Sequence, residues 1–433
     1  MGGDSGRSDS WGLQWACDLG DVAPVGGDMT AEVITIGDEL VTGLVVNSNS
    51  AYLGRRLTEL GFRVVRVTSV GDGQEEIAGA FRSVSSDVVV ATGGLGPTPD
   101  DRTKDVFADV VGMRLLLDEG VLEGIRRRFA HRGMEMPQSN VRQAMVPEGS
   151  EVLPNRWGTA PGLYIQVDNR HFFLLPGVPR EMKGIFEESV VSILRELSGR
   201  AIHYVLLRTT GIGESALYEK LSDLDLEKVT FLPGLEGVDI RVMWEEDDRP
   251  SALVEEIRRR AWEFVYAEGE EGMEEVVGRL LKRRSWRIAT AESCTGGLIG
   301  HRITEVPGSS DYFERGVVAY SNRAKVELLD VPEKLIRKHG AVSPQVAKAM
   351  AKGIKERSGA EVGLGVTGIA GPTGGSPRKP VGLVYIGVAM PEGVWVREFR
   401  FVGERSQIKF RASQAALDLV RRAILSGEEA KIE

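Results

Sequence analysis

Residues 31–40, AEVITIGDEL, form a short β-branched run ending in Gly-Asp-Glu, and residues 47–61, NSNSAYLGRRLTELG, follow with apolar residues at helical spacing and a closing Gly61. Strand-like FRVVRVTSV (62–70) comes next, then a helical pattern through EEIAGAFRSV (75–84), strand-like DVVVATGG (87–94), and a helix after DDRTKD (100–105). Strands that alternate with helices in this order predict an α/β fold. The parallel sheet would be covered by helices and would take its ligands at the carboxyl ends of the strands. HFFLLPG (171–177) adds another apolar strand running into a Pro/Gly loop, and REMKGIFEESVVSILREL (180–197) reads as the helix after it.

Working outward, the texture changes beyond residue 198. IHYVLLRTTG, VTFLPG and VDIRVMWEE are strand-like, and ALVEEIRRRAWEFVY is an amphipathic helix, so residues 199–268 read as a small α+β module that ends at the acidic linker AEGEEG. Residues 269–433 start a second α/β pattern. It contains the helix EEVVGRLLKRR, the strand WRIATAES, the segments EVGLGVTGIAG and VGLVYIGVAM, and the terminal helix SQIKFRASQAALDLVRRAIL. At the other end, residues 1–28 are Gly/Asp/Ser-rich without periodicity and read as a flexible extension, with Met29 opening a first domain over 29–198.

A chain of 433 residues needs more than one core, and 42% hydrophobic with 27% charged residues is a globular balance. The net charge of -9 argues against broad nucleic-acid or anionic-membrane binding. Two cysteines, Cys17 and Cys294, make no disulfide framework. No apolar run reaches the roughly 20 residues of a membrane span, and no basic segment followed by an apolar one opens the chain. A cytoplasmic location is the expectation.

The segment ATAESCTGGLIGHRI (289–303) carries the strongest chemical signal. A strand ends near Thr290, Ser293 sits in the turn, and Gly296 and Gly297 open a helix. Helix N-terminal N–H groups beside a hydroxyl stabilise an oxyanion or anchor a phosphate. The alternative is that Ser293 or Thr295 merely caps the helix. Neither His301 nor His339 stands in a triad context, so a serine nucleophile would need another base, as in Ser–Lys arrangements. FERGVVAYSNRAKVELL (313–329) offers Tyr320 and Lys325, with packing and solvated-helix roles as their bland alternatives. Gly368, Gly371, Gly374 and Gly375 crowd one inter-strand loop, whose backbone N–H groups can converge on an anion or a flat ring. Arg405 and Arg411 stand at the start of the last helix as phosphate clamps or as surface charge.

Together AESCTGG, GSSDYFERGVVAYSN-x-AK, HGAVS, TGIAGPTGGS-x-x-KPVG and the late G-x-R resemble the CinA C-terminal, or PncC-type, nicotinamide-nucleotide amidohydrolases across residues 273–425. The resemblance implies hydrolysis of nicotinamide mononucleotide to the acid and ammonia, with Ser293 as nucleophile, Tyr320 and Arg405 in support, and Lys325 as a further helper. Thr295, Gly296, Gly297, the glycine-rich loop and Arg411 would bind the substrate, and no cofactor or metal is called for.

IGDEL-x-x-G, Asn47-Ser48-Asn49, TGGLGPTPDDRTKD, the segment 155–162 and PGVPREM resemble the molybdopterin-binding-like fold shared by MoaB/MogA proteins and the N-terminal half of CinA proteins, over residues 31–185. Gly93, Gly94 and Gly96 follow a strand and precede a helix, so their N–H groups suit a diphosphate. Asp38, Glu39, Asp100 and Asp101 gather carboxylates of the kind a divalent cation takes, with Asp38 and Asp101 as candidate ligands. Helix capping is the other reading of Asp100 and Asp101. Gly37, Asn47, Thr98 and Lys104 complete the expected nucleotide site. The loop reads TGGLG where the pterin enzymes typically have TGGTG, which favours ADP-ribose cleavage with a divalent metal and potassium over pterin chemistry. The middle module is similar to the KH-like connector of CinA proteins. Its acidic flanks make nucleic acid an unlikely ligand, and a homodimer is the family expectation. A non-catalytic partner protein linked to competence or DNA damage, or a pterin binder, is the rival reading.

Overall fold

In the computed structural model, residues 29–199, 202–245 and 249–429 are described, so the extension 1–28 and Cys17 lie outside the described residues. The chain divides into two units at Ile202/His203.

In the first unit, β1 (Thr30–Ile36) and β3 (Val88–Thr92) are buried almost throughout. They are interior parallel strands, and their runs rich in β-branched residues have covered faces on both sides. β2 (Arg63–Val70) has no fully buried residue and leaves Val65 and Val67 exposed, because it lies at the sheet edge. A short hairpin-like pair, β4 (Leu115–Leu117) with β5 (Met145–Pro147), stands apart. β6 (Glu151–Leu153), β7 (Gly162–Val167) and β8 (Arg170–Leu175) finish a six-stranded sheet of order β2-β1-β3-β8-β7-β6, parallel from β2 to β8 and antiparallel beyond. Two apolar layers flank it: Phe81, Phe107 and Phe172 on one face, and Leu53, Leu57, Ile185 and Phe186 on the other.

The second unit holds both the connector and the C-terminal domain. β9 (Ile202–Thr209), β10 (Val229–Pro233), β11 (Val238–Glu245) and β12 (Val265–Glu268) form a sheet of order β10-β11-β9-β12, with helices Glu214–Leu221 and Ser251–Ala261 between strands. This β-α-β-β-α-β run is the split β-α-β plan, closed over its own core of Leu207, Leu217, Ile240 and Ile257. β13 (Ile288–Glu292), β14 (Phe313–Val318), β15 (Val362–Gly368), β16 (Leu383–Met390) and β17 (Gly393–Arg400) make the third sheet, order β14-β13-β15-β16-β17. Its first three strands are parallel and its last two antiparallel. No helix among the described residues is long and apolar enough to cross a membrane.

Both α/β sheets reverse their winding beside the first strand. β1 has β2 on one side and β3 on the other, as β13 has β14 and β15. Crevices open at the carboxyl ends of strands at such switch points.

Candidate active sites

The crevice between β13 and β15 is a cavity of about 190 Å³ lined by Ser293, Cys294, Tyr320, Lys325, Thr367, Gly368 and Arg405, with Ala341 and Val342 as its far wall. Ser293 stands one residue past β13, where its N–H donates to Val366 O (3.0 Å) and ties the turn to the neighbouring strand. Lys325 projects from the helix Asn322–Leu329, whose N-cap is Ser321, and is only 1% exposed. Its Nζ lies 3.0 Å from Ser293 Oγ, 2.8 Å from Ala319 O and 3.2 Å from Tyr320 O. Burial pushes its amine down to about 8. A neutral amine has two N–H groups and one lone pair. The two carbonyls match the N–H groups, which leaves the lone pair for the serine hydroxyl.

Tyr320 is 61% exposed at the mouth, and its hydroxyl accepts from Arg405 Nη2 at 3.2 Å. Arg405 Nη1 donates to Gly371 O (2.7 Å), which joins the start of the last helix (Arg405–Glu429) to the glycine-rich loop. Gly368 is required on the floor, where a Cβ would lie 2.6 Å from Val384 Cγ2 and 2.8 Å from Leu383 O. The neighbouring Cys294 is no nucleophile at neutral pH, since burial pushes its thiol up to about 12.

Three expectations for this site need correction. The N–H groups that open the helix Leu298–Glu305 do not face a substrate. Glu292, 1% exposed, accepts from Gly297 N (2.9 Å), Ile299 N (3.1 Å) and Gly300 N (2.9 Å). Gly296 and Gly297, both at positive φ, shape that turn, and Thr295 is wholly buried inside it. Arg411 is also elsewhere, since it donates to Val402 O and borders a different cavity. Gly374 and Gly375 lie in the exposed part of their loop and do not line the crevice.

Sequence reasoning missed Glu292 and Lys379. Lys379 Nζ donates to His339 O (2.7 Å) and Val342 O (2.6 Å), which pins the glycine-rich loop to the cavity's far wall. An acid four residues ahead of the Gly296–Gly297 helix start was the available signal for Glu292.

In the first unit, the crevice between β1 and β3 is a cavity of about 540 Å³. Gly37, Glu39, Asn47, Gly93, Gly94, Gly96, Asp100 and Asp101 all line it, and Thr98 does not. Gly93 sits at φ +112°, where a Cβ would collide with Ile36 O, so the two strand ends approach closely only as glycine allows. Asp101 accepts from Thr98 N (2.9 Å) and Thr98 Oγ1, which holds the loop shut on itself.

Asp38 does not line this cavity. Its Oδ1 accepts from Asp72 N (3.1 Å), and its own N–H donates to Asp72 Oδ2 (3.0 Å). Lys104 is outside it too, buried with Nζ on Arg142 O and pushed down to about 8 by burial. The lining also includes Asp72, which the sequence reading overlooked, and Asn49 and Glu181, which it quoted within motifs but gave no site role. Burial, with crowding by Asp38, Glu39 and Asp100, lifts the Asp72 carboxyl above its usual range. Asn49 Nδ2 donates to Gly177 O (2.8 Å), which leaves its buried Oδ1 without a donor. Among the described residues no three His, Cys, Asp or Glu side chains are grouped so as to hold a metal ion.

Comparison with known proteins bears on both units. The family model "CinA C-terminal domain" matches residues 270–424, and "Probable molybdopterin binding domain" matches residues 32–196. A CinA-like protein of Dictyoglomus thermophilum is 45% identical over 410 residues, covering 92% of this chain and all of the relative. A CinA-like protein of Gemmatimonas aurantiaca is 42% identical over 412 residues, covering 91% of this chain and 96% of the relative. Among solved structures, the protein CinA of Thermoplasma acidophilum, whose function is given as unknown, is 38% identical. It covers 38% of this chain and 98% of its own, with a TM-score of 0.36.

Proposed function

The chain belongs to the CinA family, and we propose that its C-terminal domain hydrolyses the carboxamide of nicotinamide mononucleotide through a Ser293–Lys325 dyad. The observation that carries this reading is the buried Lys325 amine 3.0 Å from Ser293 Oγ. With its ordinary value lowered to about 8, roughly a tenth of the amine is neutral at pH 7, enough to act as a general base.

Lys325 Nζ takes the hydroxyl proton as Ser293 Oγ bonds to the amide carbon. The tetrahedral intermediate collapses when the C–N bond breaks and the lysine ammonium returns its proton to the departing nitrogen, which leaves as ammonia. Water, deprotonated by the same amine, then cleaves the acyl-enzyme to nicotinate mononucleotide and restores Ser293. A cavity of about 190 Å³ is below the range of about 300–1,000 Å³ for whole-ligand pockets. It suits the pyridine carboxamide alone, with ribose phosphate at the mouth beside Arg405. The test is ammonia release from nicotinamide mononucleotide by the protein and by Ser293→Ala. Loss in the variant supports the dyad, whereas release that persists removes Ser293 from the role of nucleophile.

For the first unit we propose a second activity, hydrolysis of ADP-ribose to AMP and ribose 5-phosphate. The supporting observation is a cavity that joins the Gly93–Gly96 turn to Glu39, Asp72, Asp100 and Asp101. A divalent cation brought with the diphosphate would share these carboxylates, consistent with how magnesium is held, and would supply charge neutralisation. The unpaired Asn49 Oδ1 suits a ribose hydroxyl donor. No AMP or ribose 5-phosphate across a magnesium, manganese and potassium titration would rule the activity out.

A further inference from the structure

A third cavity, about 380 Å³, lies within the second unit and shares no residue with the Ser293 crevice. The connector contributes the turns 210–213 and 234–238. The C-terminal domain contributes Phe399, Phe401 and one face of its last helix. Arg411, Gln414, Ala415 and Asp418 share that face by their spacing of three, four and seven residues.

Gln414 is 2% exposed. Its Oε1 accepts from Arg302 Nη2 at 2.7 Å, and because a guanidinium only donates, the amide cannot be turned the other way. The end left over is Nε2, a buried donor with no acceptor. Phe399 and Phe401 border the same space and stack on each other with centroids 5.6 Å apart and planes at 5°.

The acids on the wall are already paired. Asp418 accepts from Arg421 Nε (2.8 Å) and Arg422 Nε (2.6 Å), and Glu236 is bridged to Arg208. The cavity therefore presents flat apolar surface, a buried hydrogen-bond donor and, beside the Arg411 guanidinium, acids already paired with arginines, and its volume falls in the range of about 300–1,000 Å³ for small-molecule sites. A planar nitrogen heterocycle answers all three features, because aromatic faces stack bases and ring nitrogens or carbonyls accept from an amide.

We infer that this cavity binds a nucleobase-bearing ligand, a nucleoside or nucleotide, with the base against the Phe399–Phe401 surface and an acceptor atom on Gln414 Nε2. The site rests on its own geometry and stands whether or not Ser293 is a nucleophile.

Adenosine, titrated calorimetrically into the full chain, is the probe. The cavities of the first unit are large enough to take a nucleoside, and the Ser293 crevice could admit a base alone, so the number of equivalents bound is the readout. Ala415→Phe fills the cavity from a helix without deleting a hydrogen bond and is expected to bind one equivalent fewer than the parent. Gln414→Leu, which removes the donor, is expected to weaken the same equivalent about tenfold or more. Thermal unfolding checks that each variant is folded, and Phe401→Leu, which keeps apolar bulk but loses the ring, replaces any that is not. Equal stoichiometry and affinity in parent and folded variants, or no adenosine bound by the parent, overturns the inference.

Discussion

A lysine that is to take a proton from serine must be neutral part of the time, and burial is what makes Lys325 so. The amine costs free energy in its charged form because it is withdrawn from water, and no carboxylate bonds to it to offset that cost. The sign of the pH dependence follows directly. The base form is the active one, so deamidation is expected to rise with pH to about 8 and then level off. Lys325→Met should lower kcat by about 10²–10⁴-fold and abolish the rise. Lys325→Arg should not restore activity, because a guanidinium stays protonated. Initial rates of ammonia release between pH 6 and 9.5 measure all three. Ser293 itself was legible in AESCTGG, and Lys325 was legible only as one helper among several. What ranks it is a 3.0 Å approach across 32 residues of chain, which no local pattern encodes.

At the scale of the element, the helix Leu298–Glu305 is positioned by an acid rather than by its cap. Gly297 offers no side chain, and Glu292 supplies the acceptor for three N–H groups, a charge-assisted arrangement favoured by the helix dipole. Glu292 also directly precedes Ser293, so it sets the angle at which the turn leaves β13. Glu292→Gln keeps the shape but replaces one acceptor with a donor facing N–H groups. The expected loss is about 1–3 kcal/mol of stability, and a fall in kcat larger than any change in KM, read from thermal unfolding and from steady-state kinetics. An unaltered kcat in a folded Glu292→Gln would show that the turn is held by other means. The sequence pattern located this helix and its glycines. It misassigned the free N–H groups, because a helix N-terminus looks the same in sequence whether a substrate or a neighbouring carboxylate occupies it.

At the scale of the molecule, the two α/β sheets place their crevices by one rule, at the carboxyl ends beside the first strand where the winding reverses. Each crevice is built wholly within its own unit and over its own core layers. Their activities should therefore be separable. Gly96→Val, whose side chain would press on the Asp101 carboxylate, is expected to abolish ADP-ribose cleavage while deamidation stays within about twofold of the parent. Assaying both reactions on one preparation tests this, and a parallel loss of deamidation would mean that the units are energetically coupled.

The alternation of strand and helix and the glycine loops are properties of neighbouring residues, so local periodicity and turn chemistry were enough to determine them from sequence, whereas Ser293 was singled out by the family resemblance of its motif. Strand order, the pairing of Lys325 with Ser293, the diversion of Asp38 to Asp72 and the removal of Arg411 to a third cavity are relations between distant residues. Only tertiary structure decides these, because burial and approach depend on how whole sheets and helices pack, and a side chain's chemistry depends on the surroundings that packing creates.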